Sequence, residues 1–175
     1  MASAVYLITG IQAAGKSTVA QALAERLPRS AHVRGDVFRR FVVNGRAEMS
    51  ADPSPEALAQ LRLRHTLAAA TADAYADAGF TAVLQDVVLG EFLPWTAELI
   101  VTRPLYVVVL APRPDVVVAR EAGRAKDAYD AFTVAGLDRV LREDTPRIGL
   151  WLDTSDLTVE QTVDRILADA TPLAD

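Results

Sequence analysis

The octapeptide Gly10-Ile11-Gln12-Ala13-Ala14-Gly15-Lys16-Ser17 constrains this chain more than any other stretch, because it follows the pattern G-x-x-x-x-G-K-[ST]. Such a loop needs a buried strand before it and a helix after it. Residues 4–8 are an apolar run of strand length. Residues 16–27 place Val19, Ala20, Leu23 and Leu27 on one helical face before Pro28 ends the helix. In that setting the backbone N–H groups around Gly10, Ala13, Ala14 and Gly15 converge at the positive end of a helix dipole and form a cradle for phosphate oxygens. Lys16 is then expected to reach the β- and γ-phosphates, Ser17 to hold a Mg²⁺ through its hydroxyl, and Thr18 to make a further phosphate contact.

The rest of the chain alternates in the same way. Apolar runs at 31–34, 80–84, 105–110 and 148–152 read as four more strands. Helical spacing covers 37–43, 55–79, 96–100, 115–122, 132–143 and 158–170. The long helix carries Leu58, Leu61, His65, Ala68, Ala72 and Tyr75 on its inward stripe, with Ser54 as cap and Pro55 as first residue. The last helix turns Val159, Val163, Ile166 and Leu167 inward. Strands that alternate with helices predict an α/β fold: a parallel sheet, helices on both faces, and ligands at the strands' C-terminal ends. A chain of 175 residues, 51% of them hydrophobic, makes one domain over 1–175.

Composition narrows the partners. A net charge of −5 argues against a broad nucleic-acid or anionic-membrane surface, which needs clustered Lys and Arg. The absence of cysteine excludes disulfides and thiolate ligands and fits a reducing cytosol, so a cytoplasmic protein is expected. The longest apolar run, 105–111, is far too short to span a bilayer. No stretch specifies an oligomeric state.

Three acids directly follow strands. Asp153, in Asp-Thr-Ser-Asp, reads as a turn former. Asp86 ends the run Thr81-Ala82-Val83-Leu84-Gln85 and is placed to bind a water on the metal or to orient Ser17. Asp36 is trailed by Arg39 and Arg40, which puts a carboxylate and two guanidinium groups within one turn. That set can take a proton from an attacking hydroxyl and hold its owner. Arg120, Arg124 and Lys126 flank a charged stretch after the fourth strand, where a closing lid would stabilise negative charge on a transferring phosphoryl group and exclude water. His32 and His65 lack the carboxylate spacing of a metal site, and Trp95 and Trp151 read as core or pocket wall.

Five segments, Gly10 to Thr18, Gly35-Asp36-Val37-Phe38, Leu84 to Gly90, Arg120 to Lys126, and Trp151-Leu152-Asp153-Thr154-Ser155, together resemble the P-loop kinases of the nucleoside monophosphate kinase type. Within them, the small-molecule kinases around chloramphenicol phosphotransferase are the most similar, over essentially the whole chain. The resemblance implies a three-layer P-loop sandwich with five parallel strands in the order 2-3-1-4-5 and a short lid at about 121–131. It implies ATP with Mg²⁺ as cofactors and Asp36 as general base. It puts Lys16 and Arg124 on the phosphate charge, Arg120 and Arg124 on adenine and phosphates, and Thr154 and Ser155 beside the adenine. The activity so implied is transfer of the γ-phosphoryl group to a hydroxyl of a small molecule, such as an antibiotic or another secondary metabolite. A nucleotide or polynucleotide 5′-hydroxyl kinase and a regulatory ATPase without acceptor are the alternatives. Residues 39–54 and 87–100, where the acceptor would lie, match nothing that identifies it.

Overall fold

The computed structural model of the chain describes residues 3–122 and 131–174. Strands β1 (Val5–Thr9), β2 (Ser30–Arg34), β3 (Thr81–Gln85), β4 (Leu105–Leu110) and β5 (Leu150–Leu152) form one parallel sheet in the order β2-β3-β1-β4-β5. This is the expected order. β1 takes the centre because every one of its residues is buried, so both of its faces can be covered. Tyr6 pairs in register with Val83 on one side and Tyr106 on the other, and its ring stacks on that of Tyr106 at 4.5 Å. β5 is shorter than the apolar run 148–152. The N–H of Ile148 closes a local turn onto Pro146 O (2.9 Å), and pairing starts only at Leu150.

The helices are α1 (Lys16–Arg26), α2 (Asp36–Arg40), α3 (Pro55–Asp77), α4 (Phe92–Leu99), α5 (Pro114–Ala122), α6 (Ala131–Arg139) and α7 (Val159–Asp169). α1 and α7 pack together on one side of the sheet, and α3, with α4 against it, covers the other. Ser54 caps α3 by accepting from Ala57 N at 3.1 Å, and Thr158 with Gln161 forms a capping box on α7.

Four helical expectations are corrected. α3 buries a stripe of small residues, Ala57, Ala68, Ala69, Ala72 and Ala76, together with His65, whereas Tyr75 is 43% exposed and meets Phe80 edge-on. Alanines let the helix lie close to the sheet, and that close approach leaves a larger ring on the outside. Leu167 likewise faces outward on α7. α4 begins at Phe92 rather than 96. Pro94 lies in its first turn, where N–H groups have no helical acceptor to lose. The helix expected to run to 143 becomes a π-helical turn at Val140–Asp144. There Thr145 Oγ1 donates to Val140 O (2.9 Å) and accepts from Gly90 N (2.8 Å), tying this turn to the end of the β3 loop. Among the described residues, no helix is long and apolar enough to cross a membrane.

Candidate active site

The phosphate loop leaves the central strand and turns into α1 through left-handed backbone at Ala13 (φ 59°) and Gly15 (φ 90°). Among the described residues no side chain caps α1, and no acidic residue stands in its first turn, so its first N–H groups and positive dipole end suit an anion. Ser17 and Thr18 open to solvent. Lys16 is buried, and its Nζ donates to Ile11 O within the loop at 2.8 Å. Arg120, near the end of α5, brings Nη1 to 4.0 Å from where a Cβ on Gly15 would stand. Its guanidinium therefore lies beside the loop. Arg124, Lys126 and most of the expected lid at 121–131 lie outside the described residues.

At the end of β2, Asp36 is the first residue of α2, and the cap position before it is Gly35. Its Oδ2 accepts from Arg40 Nη2 at 2.8 Å, with both side chains about half exposed. Arg39 turns away instead. It donates to Glu48, whose other oxygen takes Arg46 Nε at 3.0 Å, so the loop after α2 claims one of the two arginines. The nearby His32 bonds Gln21 Oε1 through Nδ1 (2.9 Å). Burial and then Arg34 push the pKa of His32 down, while Asp36 pulls it up, which places both charges near its ring. Ser17, Thr18, Gln21, Ala22, Glu25 and Arg34 line an open groove along α1.

Asp86 follows β3 and is 3% exposed. Arg64 of α3 holds it with a two-pronged grip: Nε donates to Oδ2 at 2.7 Å and Nη2 to Oδ1, while Val87 N adds a bond to Oδ1 at 2.8 Å. Sequence reasoning missed Arg64 because Leu61-Arg62-Leu63-Arg64 looks like a solvated helix face. The overlooked signal is its spacing of four and eight residues before Ala68 and Ala72, which puts a charge on the buried stripe.

His65, 1% exposed, places Nδ1 3.8 Å from Asp86 Oδ2, beyond hydrogen-bond reach, and its Nε2 has no partner among the described residues. Burial depresses its pKa to about 4; Asp86 opposes this and Arg64 reinforces it. A folded-state pKa below the unfolded value means stability that is complete above about 6.5 and is lost as pH falls towards 4. We expect urea unfolding at pH 5 to show about 2 kcal/mol less contribution from this group than at pH 7. His65→Leu should flatten that part of the pH profile, and an equally steep profile in the variant would remove His65 as the cause.

After β5, Asp153 forms the anticipated turn. Its Oδ1 accepts from Ser155 N (3.0 Å) and from the Ser155 hydroxyl, which hold its pKa low. Ser155 Oγ accepts from Arg113 N at 2.8 Å, and Thr154 Oγ1 is buried without a partner among the described residues. Also among the described residues, no group of three or more His, Cys, Asp or Glu could hold a metal ion.

A five-stranded parallel sheet in this order, with a Gly-rich loop leading from its central strand onto α1, defines the P-loop kinase-like fold. The chain belongs to the AAA_33 family, described as an AAA domain, whose model matches residues 5–146. No curated protein matches it. Among solved structures, a sugar kinase from Janibacter sp. HTCC2649 is 18% identical, with a TM-score of 0.71 over 95% of this chain and 93% of that one. The tunicamycin resistance protein of Deinococcus radiodurans is 17% identical, with a TM-score of 0.67 over 99% of both chains. A gluconokinase from Sinorhizobium meliloti 1021 is 17% identical, with a TM-score of 0.64 over 95% of this chain and 90% of that one. Fold and family support a phosphotransferase.

Proposed function

We propose that this chain, as one domain acting in the cytoplasm, moves the γ-phosphoryl group of ATP to a hydroxyl of a small molecule. The observation that carries the reading is Asp36. It is a solvent-open carboxylate free of capping duty and steadied by Arg40, on the sheet edge that the phosphate loop also serves.

The residues present fit the nucleotide and its metal. The uncapped first turn of α1 and the loop N–H groups suit phosphate oxygens, and the buried Thr154 hydroxyl, with Ser155 beside it, suits an adenine edge. Ser17 offers its hydroxyl to Mg²⁺. A carboxylate has about four acceptor sites, and among the described residues Asp86 spends three on Arg64 and Val87, leaving one, on Oδ2, for a metal-bound water. Bound Mg²⁺ supplies neutralisation of the phosphate charge.

The chain does the rest. Lys16 leaves Ile11 O to engage the phosphates, with Arg120 beside Gly15 and Arg124 joining from the lid. Asp36 takes the acceptor's hydroxyl proton on the oxygen that Arg40 does not occupy, while Arg40, the arginine that Glu48 does not claim, holds the acceptor. The similar folds named for a sugar and for tunicamycin direct the first acceptor set to sugars and to hydroxyl-bearing antibiotics. The test is a screen of such compounds for acceptor-stimulated ADP release with ATP and Mg²⁺. At least one compound should raise release well above the rate with water alone. ATP turnover indifferent to every hydroxyl compound, and unchanged in Asp36→Asn, assigns a regulatory ATPase instead.

A further inference from the structure

We propose that Arg64 is a positioning residue of this site: it fixes Asp86 so that the carboxylate's one remaining acceptor site faces the metal of the bound nucleotide. The proposal rests on the phosphate-site reading above and names a residue that no motif supplies.

The geometry confines Asp86 from two sides. On one, the Arg64 guanidinium, itself only 16% exposed, meets both carboxylate oxygens in a planar grip. On the other stands the backbone of Gly35. A Cβ there would fall 2.2 Å from Asp86 Oδ2 and 2.5 Å from its Cγ. Gly35 has ordinary helical dihedrals (φ −62°, ψ −33°), so the carboxylate, and not the backbone, demands glycine at this position. The N–H of Gly35 is also bonded to Gln85 O at 2.9 Å, which joins the turn holding Asp36 to the residue preceding Asp86.

A purely structural buried ion pair gains little over apolar packing, because desolvation of both charges offsets their attraction. Here Asp86 follows β3 and Gly35 follows the neighbouring β2, at the C-terminal ends where an open parallel sheet presents its ligand site, and Arg64 reaches Asp86 from α3. The grip leaves Asp86 no freedom to rotate, and its unspent acceptor site keeps one direction.

The experiment titrates a fluorescent ATP analogue in EDTA and again in Mg²⁺. The ratio of the two affinities is the metal enhancement. Arg64→Ala strands a buried carboxylate and can unfold the chain, so two gentler variants approach Asp86 from opposite sides. Arg64→Lys keeps the charge but loses the two-pronged grip. Gly35→Ala leaves Arg64 intact and drives a methyl group into the carboxylate. In both, with folding verified by circular dichroism, the enhancement should fall about tenfold or more while affinity in EDTA stays within about threefold of wild type. If either variant keeps the wild-type enhancement and shows only a lower melting temperature, Arg64 is an ordinary structural partner and the proposal is overturned. A wild-type chain that binds the analogue in neither condition overturns the phosphate-site reading, and this proposal with it.

Discussion

Lys16→Ala is expected to lower phosphoryl transfer by about 10³-fold, about 4 kcal/mol of barrier, because in the proposed reaction its ammonium neutralises charge that grows in the transition state. Lys16 already sits inside the loop, buried and bonded to Ile11 O, so its truncation removes the cation without exposing the core. The loop itself should survive, since its turn depends on the backbone at Ala13 and Gly15 and on the Ala14 N–H bond to Ile11 O. A coupled assay of ADP release with a responsive acceptor measures the effect. A rate unchanged by this substitution would sink the reading of Gly10 to Thr18 as a phosphate site.

Asp36→Asn should cost about 10²–10⁴ in turnover, or about 3–5 kcal/mol, while ATP binding persists. The amide can still accept a hydrogen bond from Arg40, so the local structure at α2 should hold, but it cannot take up the acceptor's proton. The contrast with Lys16→Ala is diagnostic. One variant damages handling of the nucleotide, whereas the other spares the nucleotide and stops the chemistry. A turnover loss below about tenfold would release Asp36 from the role of base.

What the sequence disclosed, and what it hid, divides along the range of the interactions involved. The phosphate loop and the five strands were legible because each rests on local pattern: a spaced glycine–lysine–serine motif, and apolar runs covered on both faces; the order of the strands is a long-range property and came only with the resemblance to P-loop kinases. The inward stripe of α3 was only partly legible. Counting apolar residues assigned Tyr75 to the core, but a helix that rests closely on a sheet selects alanine there, and size overrode hydrophobicity. The start of α4 at Phe92, four residues before the expected one, was hidden because the tolerated place of Pro94 in a first turn depends on where the helix starts, and local composition fixes that poorly. Arg39 and Arg40 were equivalent in sequence, three and four residues from Asp36. Only the folding of Glu48 back onto α2 separates them. For Arg64 the spacing marks a charge on the buried stripe, but not its partner, which lies 22 residues away.

The strand order carries a consequence for the range of compounds such a site can accommodate. Asp36 leaves β2 and the phosphate loop leaves β1, with only β3 between them, so two interstrand steps, about 10 Å, separate their points of departure. The sheet is thus a fixed gauge. Any molecule that bridges Asp36 and a phosphoryl group on the loop must present its hydroxyl within that interval, whatever the bulk behind it. On the proposed reading, the rim where bulk is traded is residues 41–54 and α4, which contribute no strand. A change of acceptor can therefore be written entirely in the rim, with the distance between proton acceptor and phosphate left untouched.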